Sequence, residues 1–132
     1  MKFLLAALNA KYIHSNPALY SLRAYAEKYH PEAAAQVELA EYTINQTVEE
    51  ILADLYERKP EAVAFSCYIW NIEYIRYLIA DLGKILPDVP IWLGGPEVSF
   101  DAAKVLGELP EATGVMKGEG EETFAQLAGY YV

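Results

Sequence analysis

At 132 residues, 54% of them hydrophobic and 22% charged, the chain has the composition of one folded domain with its own core, which excludes a disordered polymer. A net charge of -9, with only 10 scattered Lys and Arg, argues against non-specific binding to nucleic acid or an anionic membrane. The single cysteine, Cys67, cannot close an internal disulfide, and no apolar run nears the roughly 20 residues of a membrane span, so the expected setting is cytoplasmic.

The apolar run Phe3 to Leu8 is too short for a signal peptide and reads as a first buried strand. Asn16 and Pro17 suit the start of a helix, with Asn16 as cap. Leu19, Leu22, Ala26 and Tyr29 keep its apolar spacing, and Pro31 stops it. Around Val37, Leu39 and Glu41, alternation with Gln36, Glu38 and Ala40 gives a second, more polar strand suited to a sheet edge. Thr47 to Glu50 form a capping box, in which Thr and Glu side chains satisfy free backbone N–H groups. Val48, Ile51, Leu52 and Leu55 form the buried stripe of the helix it opens, which Pro60 ends.

Ala62 to Cys67, "AVAFSC", is a third strand. Asn71 is placed to cap a third helix with the stripe Ile72, Ile75, Leu78, Ile79, Leu82 and Ile85. Pro87 and Pro90 bracket the turn into a fourth strand, Ile91 to Leu93. Ser99 or Asp101 starts a fourth helix carrying Val105, Leu106 and Leu109. "TGVMK" is the fifth strand and Glu121 to Tyr131 the fifth helix. Five alternating strand–helix units imply an α/β fold: a parallel sheet covered on both faces and joined by right-handed crossovers. Five units and a polar second strand favour the flavodoxin-like (Rossmann-like) order 2-1-3-4-5 over the six-strand dinucleotide type.

Ligands of such sheets bind beyond the carboxyl ends of the strands, where the strand order reverses. That rule selects the loops "NAKYIHSNP", "SCYIWN", "GGPEVS" and "GEGEE". Gly94 and Gly95, and again Gly118 and Gly120, permit a turn or a close backbone approach to a ligand. The first loop has no glycine, which rules out a dinucleotide fingerprint there, and no P-loop is present. Glu119, Glu121 and Glu122 would repel a pyrophosphate and suit a helix N-terminus. A phosphorylated receiver needs acidic residues after strand one and an Asp ending strand three, where this chain has Asn9 and Ser66-Cys67; Lys117 alone matches. One Cys and two His are too few for a closed metal or iron–sulfur site. His30 reads as a surface residue at a helix end. His14 is a solvated loop residue or a ligand. A Cys67–His14 hydrolase pair lacks an activating base and an oxyanion-hole motif. Tyr68, Trp70 and Tyr74 form either an aromatic wall or ordinary packing.

Together "LNAKYIHSNPALYSLRAY", "AFSCYIWNI", "IWLGGPEVS" and "VMKGEGEETFAQL" resemble the N-terminal cobalamin-binding domain of cobalamin-dependent radical S-adenosylmethionine proteins. The resemblance spans almost the whole chain, so residues 1–132 are expected to be a single domain, the N-terminal fragment of a longer protein. It implies a corrin ring held against the strand ends and places Asn9, His14, Ser66, Cys67, Tyr68, Gly94, Gly95, Pro96, Glu97, Gly118, Glu119 and Gly120 around it. Many cobalamin domains ligate cobalt through the His of Asp-x-His-x-x-Gly. Here Tyr12 and Pro17 stand where the Asp and Gly belong, so cobalamin is expected base-off or without a protein lower ligand, with His14 the one candidate for that role. The three-cysteine cluster of the radical enzymes is absent, so the iron–sulfur cluster and S-adenosylmethionine belong to a downstream domain in cis. The expected function is a corrinoid-binding module serving methyl transfer, with no catalytic residue of its own. Two alternatives stand beside it: a cofactor-free docking module of the same fold, and a flavin-binding flavodoxin, for whose phosphate loop "NAKYIHSNP" supplies only Ser15. No nucleic-acid or membrane partner is expected.

Overall fold

The computed structural model describes residues 3–9, 17–43, 45–67, 71–94, 104, 107–116, 124 and 127. Its strands are β1 (Phe3–Asn9), β2 (Val37–Thr43), β3 (Ala62–Ser66), β4 (Ile91–Gly94) and β5 (Gly114–Val115). Its helices are α1 (Pro17–Tyr29), α2 (Pro31–Ala34), α3 (Val48–Glu57) and α4 (Ile72–Ile85). Residues 104, 107, 108, 124 and 127 are also helical. The five strands form one sheet in the order β2-β1-β3-β4-β5, every neighbouring pair parallel, as the alternation of elements implies. Among the described residues no helix is long and apolar enough to cross a membrane.

β1 is buried at all seven positions because helices cover both faces of the sheet. Side-chain alternation sends Leu4, Ala6 and Leu8 to one core, against Ile51 and Leu55 of α3 and Ile75, Leu78, Ile79 and Leu82 of α4. It sends Phe3, Leu5 and Ala7 to the other, against Ala26 of α1 and Phe124. There the rings of Phe3 and Phe124 meet edge to face, 5.4 Å between centroids. The polar second strand is indeed an edge, paired with β1 among the described strands and half-buried along most of its length.

Several local expectations change. Tyr29 and Ile85 leave their apolar stripes and are 53% and 41% exposed. Tyr29 ends α1 and rests on the Tyr25 ring instead. Ile85 ends α4, where the next residue, Leu86, packs onto the core in its place. Pro31 does more than stop α1: it opens the one-turn helix α2, the position where a missing N–H costs nothing. β3 ends at Ser66, one residue before Cys67, and β4 runs on to Gly94. β5 is short, but the N–H groups of Thr113 and Met116 extend its bonding to Ile91 O and Leu93 O, at 2.6 and 2.7 Å. Thr47 caps α3 as expected, its hydroxyl accepting from Glu50 N at 3.1 Å. The Asn16 cap, the start of the fourth helix and most of the fifth lie outside the described residues.

Candidate functional site

The crossover after β1 leads to α1 on one face of the sheet, and the crossover after β3 leads to α4 on the other. β1 and β3 are neighbours whose following helices lie on opposite faces, so their carboxyl ends are the switch point where ligands of such sheets bind. Four of the expected site residues are described: Asn9 ends β1, Ser66 ends β3, Cys67 follows it and Gly94 ends β4. Strand alternation puts Asn9, Ser66 and Gly94 on the α1 side of the sheet, in line with Ala7, Ala64 and Trp92. Asn9 is 2% and Ser66 8% exposed. His14, Tyr68, Gly95, Pro96, Glu97, Gly118, Glu119 and Gly120 lie outside the described residues.

Cys67 faces the other way. Its thiol is fully buried in the α3/α4 core, with a weak contact to Phe65 O at 3.9 Å. What Cys67 offers the strand ends is backbone: its N–H donates to Gly94 O at 2.7 Å and carries the β3–β4 ladder past the end of β3. A buried thiol of this kind is a core residue rather than a nucleophile. Gly94 shows how closely the sheet packs at this corner. A Cβ there would come within 2.8 Å of Met116 Cε, the movable end of a flexible side chain.

Asn71, expected only to cap α4, makes no side-chain cap bond. It is 1% exposed, and its amide Nδ2 donates to Leu8 O at 3.0 Å and Ser66 O at 3.3 Å. One residue of α4's N-terminus thus ties together the ends of β1 and β3. The next tie comes from Tyr74, which sits partly buried against the α3/α4 core. Its hydroxyl donates to Gln46 O, while Gln46 Oε1 accepts from Thr43 N at 2.9 Å. Burial, reinforced by the carboxylates of Glu49 and Glu50, pushes the Tyr74 phenol above its ordinary pKa, so it remains a donor. Tyr74 therefore fixes the loop after β2 rather than standing free in an aromatic wall. Spacing alone could not have found the Asn71–Leu8 and Tyr74–Gln46 ties, because those carbonyls lie 63 and 28 residues away in sequence.

The described strand ends present amide, hydroxyl, glycine backbone and a buried thiol, with no charge among Asn9, Ser66, Cys67 and Gly94. No group of three or more His, Cys, Asp or Glu able to hold a metal ion occurs among the described residues. At these four positions there is no charged group to pair with a phosphate or a bare cation.

Comparison with known proteins agrees. Residues 4–128 match the B12-binding domain. The chain is 29% identical over 106 residues to the cobalamin-dependent radical SAM methyltransferase TokK of Streptomyces tokunonensis. It is 29% identical over 107 residues to the 2-(S-pantetheinyl)-carbapenam-3-carboxylate methyltransferase of Streptantibioticus cattleyicolor. Each match takes in 80% of this chain but only 15% of the relative's length. A cobalamin-binding protein from Desulfitobacterium hafniense superposes with a TM-score of 0.69 at 17% identity, over 99% of this chain and 59% of that one. The CheY-like protein tadZ from Pseudomonas aeruginosa gives 0.66 at 18% identity, over 98% and 93%. These two structures share the fold. The family match over most of the sequence goes further: this chain belongs to the B12-binding domain family.

Proposed function

We propose that the chain binds cobalamin against the carboxyl ends of β1, β3 and β4 and serves as the N-terminal cofactor domain of a longer radical S-adenosylmethionine methyltransferase. The observation that carries this reading is the uncharged row of Asn9, Ser66 and Gly94 at the switch point of a chain in the B12-binding family. A bound corrinoid would supply a cobalt centre able to carry a methyl group. The protein's part is binding and orientation, and no residue here acts as acid, base or nucleophile. Asn9 and Ser66 can meet the amide arms, and the Gly94 corner admits a flat ring close to backbone. Tyr68, Gly95, Pro96, Glu97, Gly118, Glu119 and Gly120 complete the rim. The iron–sulfur cluster and S-adenosylmethionine belong to a partner domain in cis, a reading supported by relatives nearly seven times longer than the matched region.

Cobalamin is held base-off or without a protein lower ligand, because the Asp and Gly that would orient a ligating histidine are replaced by Tyr12 and Pro17. The test is direct. The purified 132-residue chain is mixed with hydroxocobalamin or methylcobalamin, freed of unbound ligand and examined by absorption. Retained corrinoid with a spectrum indifferent to His14→Ala supports the full reading. A spectrum altered by that substitution makes His14 the lower ligand. No retention at high protein concentration leaves the same fold as a cofactor-free docking module.

A further inference from the structure

We infer that Asn71 is a positioning residue for the corrinoid, fixing the carboxyl ends of β1 and β3 relative to one another; this rests on the cobalamin reading above. Three observations meet at this residue. It is a polar side chain 1% exposed, and burying an amide is costly unless it has partners. Its Nδ2 divides between Leu8 O and Ser66 O, at 3.0 and 3.3 Å, and these carbonyls belong to the two strands whose connections part at the switch point. It occupies the N-cap of α4 without making the side-chain bond expected of an Asn there.

The tie continues sideways. Cys67 N donates to Gly94 O at 2.7 Å, and Met116 N donates to Leu93 O at 2.7 Å. The carboxyl edge is thereby bonded from β1 through β3 and β4 to the end of β5. Every link but one is backbone to backbone. The link between β1 and β3 past the last paired residues, Ala7 and Ser66, is the Asn71 amide. Among the described links it is a side-chain one, which a substitution can cut. Without it, Leu8 O and Ser66 O lose a shared donor and the ends of β1 and β3 are held together less firmly. A rigid disc seated on those strand ends would then be held less closely and lie in a different orientation.

The test compares the wild-type chain with Asn71→Asp, which keeps the shape but removes both donors, and Asn71→Ala. A control, Leu82→Ala, loosens α4 through a fully buried side chain near its far end. Hydroxocobalamin affinity, the visible circular dichroism of the bound corrinoid and the urea midpoint are measured for each. Asn71→Asp and Asn71→Ala, each of which removes two hydrogen bonds, are expected to weaken affinity about tenfold and to change the induced dichroism. Leu82→Ala should lower the urea midpoint with affinity and dichroism unchanged. Asn71 variants that lose stability yet bind with wild-type affinity and dichroism overturn the inference and leave Asn71 a structural residue. Should both variants fail to fold, the wild-type chain decides: the Asn71 side-chain amide NMR signal is expected to shift on adding hydroxocobalamin, and a signal that stays in place overturns the inference. A wild-type chain that binds no corrinoid overturns the functional reading itself, an outcome distinct from both.

Discussion

Replacing Tyr42 by Phe should destabilise the fold by about 1.5 kcal/mol, the low end for a hydrogen bond to a charged group. Tyr42 lies on edge strand β2, 4% exposed, and its hydroxyl donates to Asp54 Oδ2 of α3 at 2.5 Å. The same Oδ2 accepts from Arg58 Nε at 2.7 Å, and Arg58 Nη1 reaches back to Glu38 Oε2 on β2 at 3.0 Å. The cluster fastens the outermost strand to the helix above it. Phenylalanine keeps the ring in the core and removes only the hydroxyl. The Asp54 side chain is 43% exposed, so Arg58 and water can serve the freed oxygen, which is why the low end applies. Urea unfolding at pH 7 of wild type, Tyr42→Phe, Asp54→Ala and the double variant closes a cycle with an expected coupling of about 1 kcal/mol. Effects that simply add, within about 0.3 kcal/mol, would refute the claim that this bond holds the edge strand.

The pH dependence of the same pair follows from its shifts. The Tyr42 hydrogen bond, helped by Arg58, holds the Asp54 carboxyl below its ordinary range, so its contribution is present above the unfolded value of about 3.9 and is lost as pH falls through the folded one. Burial, then Asp54, raises the Tyr42 phenol. Its contribution is therefore complete below the unfolded value of about 10 and declines above it, and Tyr42→Phe should flatten both limbs of a stability–pH profile. At Gly114 a Cβ would come within 2.4 Å of the Trp92 ring across the β4–β5 pair, so Gly114→Ala should cost about 2–3 kcal/mol in thermal or urea unfolding. Helical, exposed Gly107 has nothing within 4 Å of such a Cβ, and Gly107→Ala should gain about 0.5 kcal/mol in the same assay. Removing the α3 cap by Thr47→Ala should cost about 1 kcal/mol, read from the urea midpoint.

The sheet order was legible because β1 and β3 are continuous apolar runs and β2 is not. Burial on both faces leaves that mark in the sequence itself, as does the half-exposure of an edge. Helix stripes were legible in their middles and failed at their ends. Tyr29 and Ile85 have the right spacing, but spacing does not say where the core stops beneath a helix. The candidate site was legible as a place, since topology alone brings Asn9, Ser66 and Gly94 to one edge. Its internal bonding was not. Asn71 has every local mark of a cap, and its amide instead binds a carbonyl 63 residues away. Local rules rank what a side chain does for its own helix. They are silent about acceptors that only the assembled sheet brings within reach.

That silence matters because the same sheet order is shared with a CheY-like protein, so the fold by itself does not choose a function. The choice is made at the strand ends. A phosphorylated receiver requires carboxylates after β1 and at the end of β3. Here Asn9 and Ser66 fill those positions, buried and neutral, and an amide from α4 reaches the carbonyls beside them. Such an edge can neither accept a phosphoryl group on a carboxylate at those positions nor gather a divalent cation there. The proposed corrinoid would meet this edge, where the N–H groups of Cys67 and Met116 bond β3 to β4 and β4 to the end of β5.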